Sequence, residues 1–248
     1  MAEDPYLEFG VIGSAGCKSV ANSDMTVEFR GAPAHASAAP WDGVNALDAI
    51  VLSYNNISAL RQQIRPQERI HGCILECPKV CNVIPEYTIV KFSLRSPTMD
   101  GLLRLEERVS KCFEAGALAT GCQIKVEKDD RRYADLRPNE PLCELFQTYM
   151  SKFGRKVLRI QKQTMPGSTD QGNVSYSLPA LHGLVGIPTV DGENPHTHAF
   201  AAAAATREAH SRAVSAGKAM AVVGWSVLVD EEAYARVKES FEQDKRRR

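Results

Sequence analysis

The stretch DMTVEFRG, residues 24–31, alternates apolar and polar side chains, the period of a strand with one buried face. Residues 43–64 then repeat apolar positions at spacings of three and four, with Val44, Leu47, Ile50, Val51, Tyr54 and Ile57 on one predicted helical face. RIHGCILE (69–76) and YTIVKFSLRS (87–96) read as two further strands, and the prolines of the intervening CPKVCNVIPE end their pairing. Residues 97–121 read as a second helix, opened by Pro97 and Thr98 and stopped by Gly121, and CQIKVEKD supplies a fourth strand. Strand, helix, strand, strand, helix, strand is the order of a split βαβ sandwich, an antiparallel sheet with two helices on one face.

The pattern weakens on either side. The first 22 residues are rich in Gly and Ser with little periodicity, and RRYADLRPNEP reads as a connection. Beyond it the chain predicts a helix at 141–154, a short strand at 156–161, a loop at 164–179, a strand at 180–187, a loop at 188–200 and one long helix at 201–229. Alternating helix and strand predicts an α/β layer, and so few strands in about 110 residues make at most half of a doubly wound sheet.

Composition narrows the function classes. A chain of 248 residues can bury the core of one large or two modest domains. Thirty basic residues balance thirty acidic ones, so no global field draws in nucleic acid or an anionic membrane, and the closing DKRRR reads as a solvated tail. No apolar run approaches the roughly 20 residues of a bilayer span, so neither a membrane nor a nucleic-acid partner is expected. Seven cysteines are an odd count, and the opening MAEDPYLEF has neither the basic start nor the apolar centre of a secretory signal, which predicts a reduced, cytoplasmic setting. Cys73, Cys77 and Cys81 fall at four-residue intervals without the second ligand pair that structural zinc sites use.

Three stretches carry candidate chemistry. In GAPAHASAAP, His35 stands among small residues with nothing beside it to ligate a metal or relay a proton. In MPGSTDQGNVS, Gly167 and Gly172 relax the backbone around Ser168, Thr169 and Asp170. Short polar side chains there can cap a following helix whose free amides would seat a carboxylate or an oxyanion, and an ordinary capped helix is the plainer alternative. In NPHTHAF, His196 and His198 lie two apart, a pair better suited to hydrogen bonding than to holding a metal alone. GxSxG, HExxH, Walker and post-strand GxGxxG motifs are absent.

The strings AHASAAPWDGVNALDAIVLSYNNISALRQQI, NVIPEYTIVKFSLRSPT, CFEAGALATGCQIKVE and GSTDQGNVSYSLPALH resemble the aminoacylase/carboxypeptidase superfamily of di-zinc peptidases, peptidase family M-twenty. The branch is the one typified by the β-alanyl-lysine dipeptidase and the auxin-conjugate hydrolases. The resemblance implies an α/β protein with a ferredoxin-like βαββαβ dimerisation (lid) domain at residues 23–130. A partial α/β zinc-peptidase-like catalytic domain follows at 131–248, with residues 1–22 a remnant of that same domain. By resemblance His35 is the lid histidine that reaches the partner subunit's active site and stabilises a tetrahedral oxyanion. Asn82 and Arg95 match lid positions that hold polar groups of the substrate, Arg95 suiting a carboxylate. Gly167, Ser168 and Thr169 match the substrate loop, His196 matches the last zinc ligand, and His198 departs from the family's usual residue.

Family members carry further ligands ahead of the lid: an HxD pair, a bridging Asp, a Glu-Glu pair and another His. Here 22 residues precede it, with no His, and Glu3, Asp4 and Glu8 reproduce none of these motifs. One imidazole does not hold a catalytic zinc, which takes about three protein ligands. The expectation is therefore a shortened member that dimerises through the lid and binds a small-molecule substrate. Its inherited pocket would perform metal-independent, non-hydrolytic chemistry (cyclisation, isomerisation or condensation) on a small amide or amino-acid-derived metabolite, with His35, His196 and His198 as acid and base. The alternatives are a zinc-dependent amidohydrolase or dipeptidase, and a non-catalytic dimerisation module or fragment.

Overall fold

The computed structural model describes residues 10–190 and 195–247. In chain order its elements are β1 (Val11–Gly16), β2 (Ala21–Arg30), α1 (Ala46–Leu60), β3 (Arg69–Glu76), β4 (Tyr87–Ser96), α2 (Met99–Thr120) and β5 (Gln123–Lys128). They continue as α3 (Glu140–Lys152), β6 (Lys156–Ile160), α4 (Gln171–Ser177), β7 (Leu184–Val185), α5 (His198–Ala204), α6 (Arg207–Val229) and α7 (Glu231–Arg246). Two compact units result, one of residues 20–135 and one of residues 1–19 together with 136–248.

The first unit is the βαββαβ sandwich. Its sheet has the order β3-β4-β2-β5, antiparallel throughout. Along β2 burial alternates strictly, and Met25, Val27 and Phe29 point into the core with Val90, Phe92 and Leu94 of β4. From the helix side Phe113 of α2 meets Phe92 edge-on at 5.3 Å and Phe29 at 6.4 Å between ring centroids, the geometry that aromatic quadrupoles favour. Thr98 caps α2 by accepting from the Gly101 amide, and Gly121 ends it in the left-handed conformation at φ 74°. The face of α1 differs from its apolar stripe. Ala46, Ala49, Ile50, Ser53 and Ile57 are buried, whereas Val51, Leu52 and Tyr54 are exposed. Small residues make the helix–helix contact because the backbones come close: a Cβ on Gly116 would lie 2.2 Å from the Ser53 hydroxyl and 2.7 Å from the Ala49 carbonyl oxygen.

The second unit holds the three-stranded sheet β6-β1-β7. β1, in a stretch without periodicity, is the central strand, parallel to β6 and antiparallel to β7. A strand covered on both faces has no reason to alternate, which is why the pattern missed it. Phe146, Met150 and Cys143 of α3 pack with Ala15, Val157, Ala216, Ala219 and Val223. Three further expectations change here. The strand at 180–187 reduces to Leu184–Val185. The helix at 201–229 breaks at Ala205 and Thr206, where the Thr206 hydroxyl accepts from the Ala209 amide and starts α6 afresh. The charged tail belongs to α7, which opens on an Asp230 cap and buries Ala233 and Val237. Asn139 ties α7 down by donating to the Val237 carbonyl at 3.0 Å.

By length and composition alone α6 qualifies as a membrane-crossing helix, against the expectation of none. The reason is that it is apolar on two faces. One of them packs on α3, where Ser226 shares a 2.7 Å hydrogen bond with the Tyr149 hydroxyl.

A buried ion pair closes the first unit. Glu106 of α2, 2% exposed, accepts from Arg132 Nε at 2.7 Å and Nη2 at 3.0 Å. Burial alone would push its carboxyl up, but the Arg132 bonds and the charges of Arg132 and Lys128 together hold it below the usual value. A depressed carboxyl contributes stability above its unfolded pKa of about 4.3 and loses it as pH falls through the folded value. Glu106→Ala should therefore cost about 2–4 kcal/mol in urea denaturation at pH 7, since it strands a half-buried guanidinium. The gap between variant and wild type should shrink below about pH 4.

Candidate functional site

His35 lies in the loop that leaves β2. Two backbone bonds of 2.9 Å between Ala32 and Val44 close the base of this loop. A short antiparallel pairing with the strap before β4 holds its arm: Ile84 donates to the Ala34 carbonyl at 2.9 Å, and Ala36 donates to the Asn82 carbonyl at 3.0 Å. His35 thus stands opposite Val83 and beside Asn82, exposed to solvent. Its Nδ1 lies 3.3 Å from the Ser37 amide nitrogen, 3.3 Å from the Ala38 amide nitrogen and 3.3 Å from the Ser37 hydroxyl.

Arg95 is elsewhere on the same unit. It pairs across β4 with Asn22 and with Arg69, whereas the His35 loop departs from the Arg30–Tyr87 end of the ladder. Eight residues of strand separate Tyr87 from Arg95, about 26 Å at the usual rise. One lid therefore brings His35 and Asn82 together and keeps Arg95 apart from them.

In the second unit, Gly167, Ser168 and Thr169 form the turn into α4. Met165 anchors the turn by donating to the Lys18 carbonyl at 2.8 Å. The expected seat of free helix amides does not form. Gln171 donates to the Thr169 hydroxyl at 3.3 Å and Gly172 to the Thr169 carbonyl at 3.0 Å, so the first amides of this seven-residue helix are already engaged. Asp170 is itself helical and makes no side-chain cap bond.

His196 and His198 are both exposed, and neither lies on a strand, so the same-face spacing does not apply. His196 sits in a turn at φ 73°, a left-handed conformation that costs a non-glycine residue energy. His198 is the first residue of α5, which Thr197 caps by accepting from the Phe200 amide at 3.1 Å. Among the described residues no three His, Cys, Asp or Glu side chains gather as a metal-binding group. The described residues therefore do not fit a zinc centre around His196, and no catalytic step is routed through one. Glu3, Asp4 and Glu8 lie outside the described residues.

Thiol chemistry is also disfavoured in this unit. Burial pushes the Cys17 thiol up to about 11. Burial, with the Cys17 and Glu140 charges nearby, pushes Cys143 up to about 12. Neither is a thiolate near neutral pH.

The comparisons with known proteins agree with this architecture. Residues 19–120 match the peptidase dimerisation domain of family M-twenty. The mouse (Mus musculus) Xaa-Arg dipeptidase is 37% identical over 224 residues, 90% of this chain and 52% of the mouse protein. The human (Homo sapiens) Xaa-Arg dipeptidase is 35% identical over 228 residues, 90% of this chain and 51% of the human protein. Among solved structures, a hydantoinase/carbamoylase family amidase from Burkholderia vietnamiensis superposes with a TM-score of 0.65 at 15% identity, covering 86% of this chain and 49% of that one, a likeness of fold. Residues 19–120 thus carry the M-twenty dimerisation domain, and the chain spans about half the length of the curated relatives it matches. These relatives are hydrolases by name and lend no support to the non-hydrolytic expectation.

Sequence reasoning singled out His35 but missed the amides of Ser37 and Ala38 beneath its ring. The Ala-Ser-Ala run was the only signal, and it read as small size rather than as donors. At His196 the left-handed backbone makes a stability prediction. His196→Gly should be about 0.5–1 kcal/mol more stable than wild type in chemical denaturation, and His196→Val less stable, because only glycine takes this φ freely. Equal stabilities would show that the turn relaxes.

Proposed function

We propose that this chain supplies the lid and one part of the catalytic layer of an M-twenty-type amide-bond hydrolase that acts, as a homodimer, on a dipeptide or a similarly small amide. The observation that carries the reading is the similarity to Xaa-Arg dipeptidases across nine-tenths of the chain. In this reading the His35 imidazole donates a hydrogen bond to the developing oxyanion, Asn82 holds a polar group beside it, and Arg95 takes a carboxylate through its fork of donors. The Gly167–Ser168–Thr169 turn borders the substrate. Zinc is the cofactor this class implies, and its ligands would come largely from outside the described residues.

The spacing within the lid supports two copies. His35 and Asn82 lie beyond the Tyr87 end of β4, and Arg95 lies about 26 Å along the strand from that end. A pocket that uses both therefore draws them from different subunits. The two edges of the lid sheet are unlike each other. β5 presents Lys125 and Glu127, the kind of charge that blocks edge pairing, whereas β3 presents Ile74 and Leu75, each more than half exposed. Val51, Leu52 and Tyr54 of α1 extend the apolar surface, and Tyr54 and Ile74 border a cavity of about 190 Å³ that reaches Phe92 and Phe113.

The second face of α6 favours a companion reading, that another polypeptide segment covers this unit. Val214, Met220, Trp225 and Leu228 are exposed along it, Leu228 at 81%, and nothing lies within 4 Å of a Cβ placed on Gly217 or Gly224. A segment equivalent to the unmatched half of the relatives is the proposed occupant.

The test is hydrolysis of Xaa-Arg dipeptides and p-aminobenzoyl-glutamate by the purified chain with added zinc, alone and with the unmatched half of the mouse relative supplied as a second polypeptide. Turnover that falls about a hundredfold or more in His35→Ala is expected. No turnover in either arrangement would overturn the reading. Light scattering should give a dimer for the wild type and a monomer for Leu75→Lys, and a monomeric wild type would remove the shared pocket.

A further inference from the structure

The ring of His35 is held in a cradle of donors. The His35 carbonyl accepts from the Ala39 amide at 3.1 Å, so residues 35–39 make one turn of helix-like backbone. As at any helix start, the Ser37 and Ala38 amides have no acceptor within the turn itself. His35 supplies one from its own side chain: Nδ1 faces the Ser37 and Ala38 amide nitrogens, each at 3.3 Å. The Ser37 hydroxyl also lies 3.3 Å from it.

A backbone amide can only donate. A ring nitrogen that faces two of them must present its lone pair, and in neutral imidazole the proton is then on Nε2. We propose that the Ser37 and Ala38 amides are positioning groups that fix His35 as the Nε2–H tautomer, so that the nitrogen facing away from the loop is a hydrogen-bond donor. The opposite tautomer would set Nδ1–H against two N–H groups and forfeit both bonds. In the cradled form Nε2 has no lone pair to offer a metal or to accept a proton, which separates this imidazole from a ligand or a general base. The functional meaning rests on the hydrolase reading, where an oxyanion needs a donor. The tautomer itself is a property of the free chain.

The loop composition explains how the cradle forms. Ala36, Ala38 and Ala39 carry no side chain large enough to lie between the ring and the backbone, and Pro40 opens the short 3-10 turn that follows. The Ser37 hydroxyl, at the same 3.3 Å, can donate or accept and so does not select between the tautomers, whereas the two amides do.

The experiment is a long-range proton–nitrogen correlation spectrum of the full chain labelled with ¹⁵N-histidine. It is recorded about two pH units above the usual imidazole pKa, and the His35 signals are assigned by their loss in His35→Gln. The expected wild-type result is an Nε2–H pattern for His35, unchanged in Ser37→Ala. In Ala38→Pro, which removes one amide donor, the tautomer ratio should fall about five- to tenfold. The other histidines report whether that variant keeps its fold. An Nδ1–H pattern, or an averaged pattern like that of free histidine, in the wild type would overturn the proposal whatever the variants do. Activity is read separately. Gln can present a donor where Nε2 stood and Asn cannot reach it, so turnover retained in His35→Gln and lost in His35→Asn adds support. An Nε2–H pattern without turnover in either arrangement would sink the hydrolase reading and leave the cradle standing.

Discussion

The unbroken register between β2 and β4 is the constraint on which the lid depends. It runs from Ala21 opposite Ser96 to Arg30 opposite Tyr87 without a slip. A shift of one residue would turn Met25, Val27 and Phe29 out of the core, so burial enforces the pairing. The same register assigns each candidate site residue to an end of the sheet. The chain must leave β2 at the Tyr87 end, where the strap returns, and so His35 and Asn82 emerge side by side. Arg95 is held at the other end, opposite Asn22. Hydrophobic burial that folds the lid therefore also sets the distance between its polar groups.

That distance gives the apolar edge of the lid its importance. The β5 edge carries Lys125 and Glu127, whereas the β3 edge leaves Ile74 and Leu75 more than half exposed. In the second unit α6 shows a similar asymmetry, with one apolar surface packed and another open. The buried thiols there are held protonated by their surroundings.

The lid was legible because its periods are clean: two along β2 and β4, and three to four along α2, with Thr98 and Gly121 marking the ends of that helix. β1 was illegible because VIGSAG is covered on both faces and has no polar side to alternate with. The contact face of α1 was misjudged because Ala46, Ala49 and Ser53 pack closely where larger apolar residues were expected to. α7 hid behind its charges, since Ala233 and Val237 are too small and too few to stand out among EEAYARVKESFEQDKR. At the site, the oddity of His35 was visible. The donors beneath its ring were not, because amides belong to every residue and only a particular turn of the backbone aims them.

By itself the sequence determined the order of strands and helices in the lid, the family resemblance and the identity of the lone histidine, since these follow from side-chain type and spacing. The tertiary structure decided which ends of the sheet those residues occupy, which edge stays apolar and which face of α6 remains open. It also decided that His35 rests on two amides and His196 on a left-handed turn. These depend on register, close packing and backbone dihedrals, none of which is carried by the identity of any single residue.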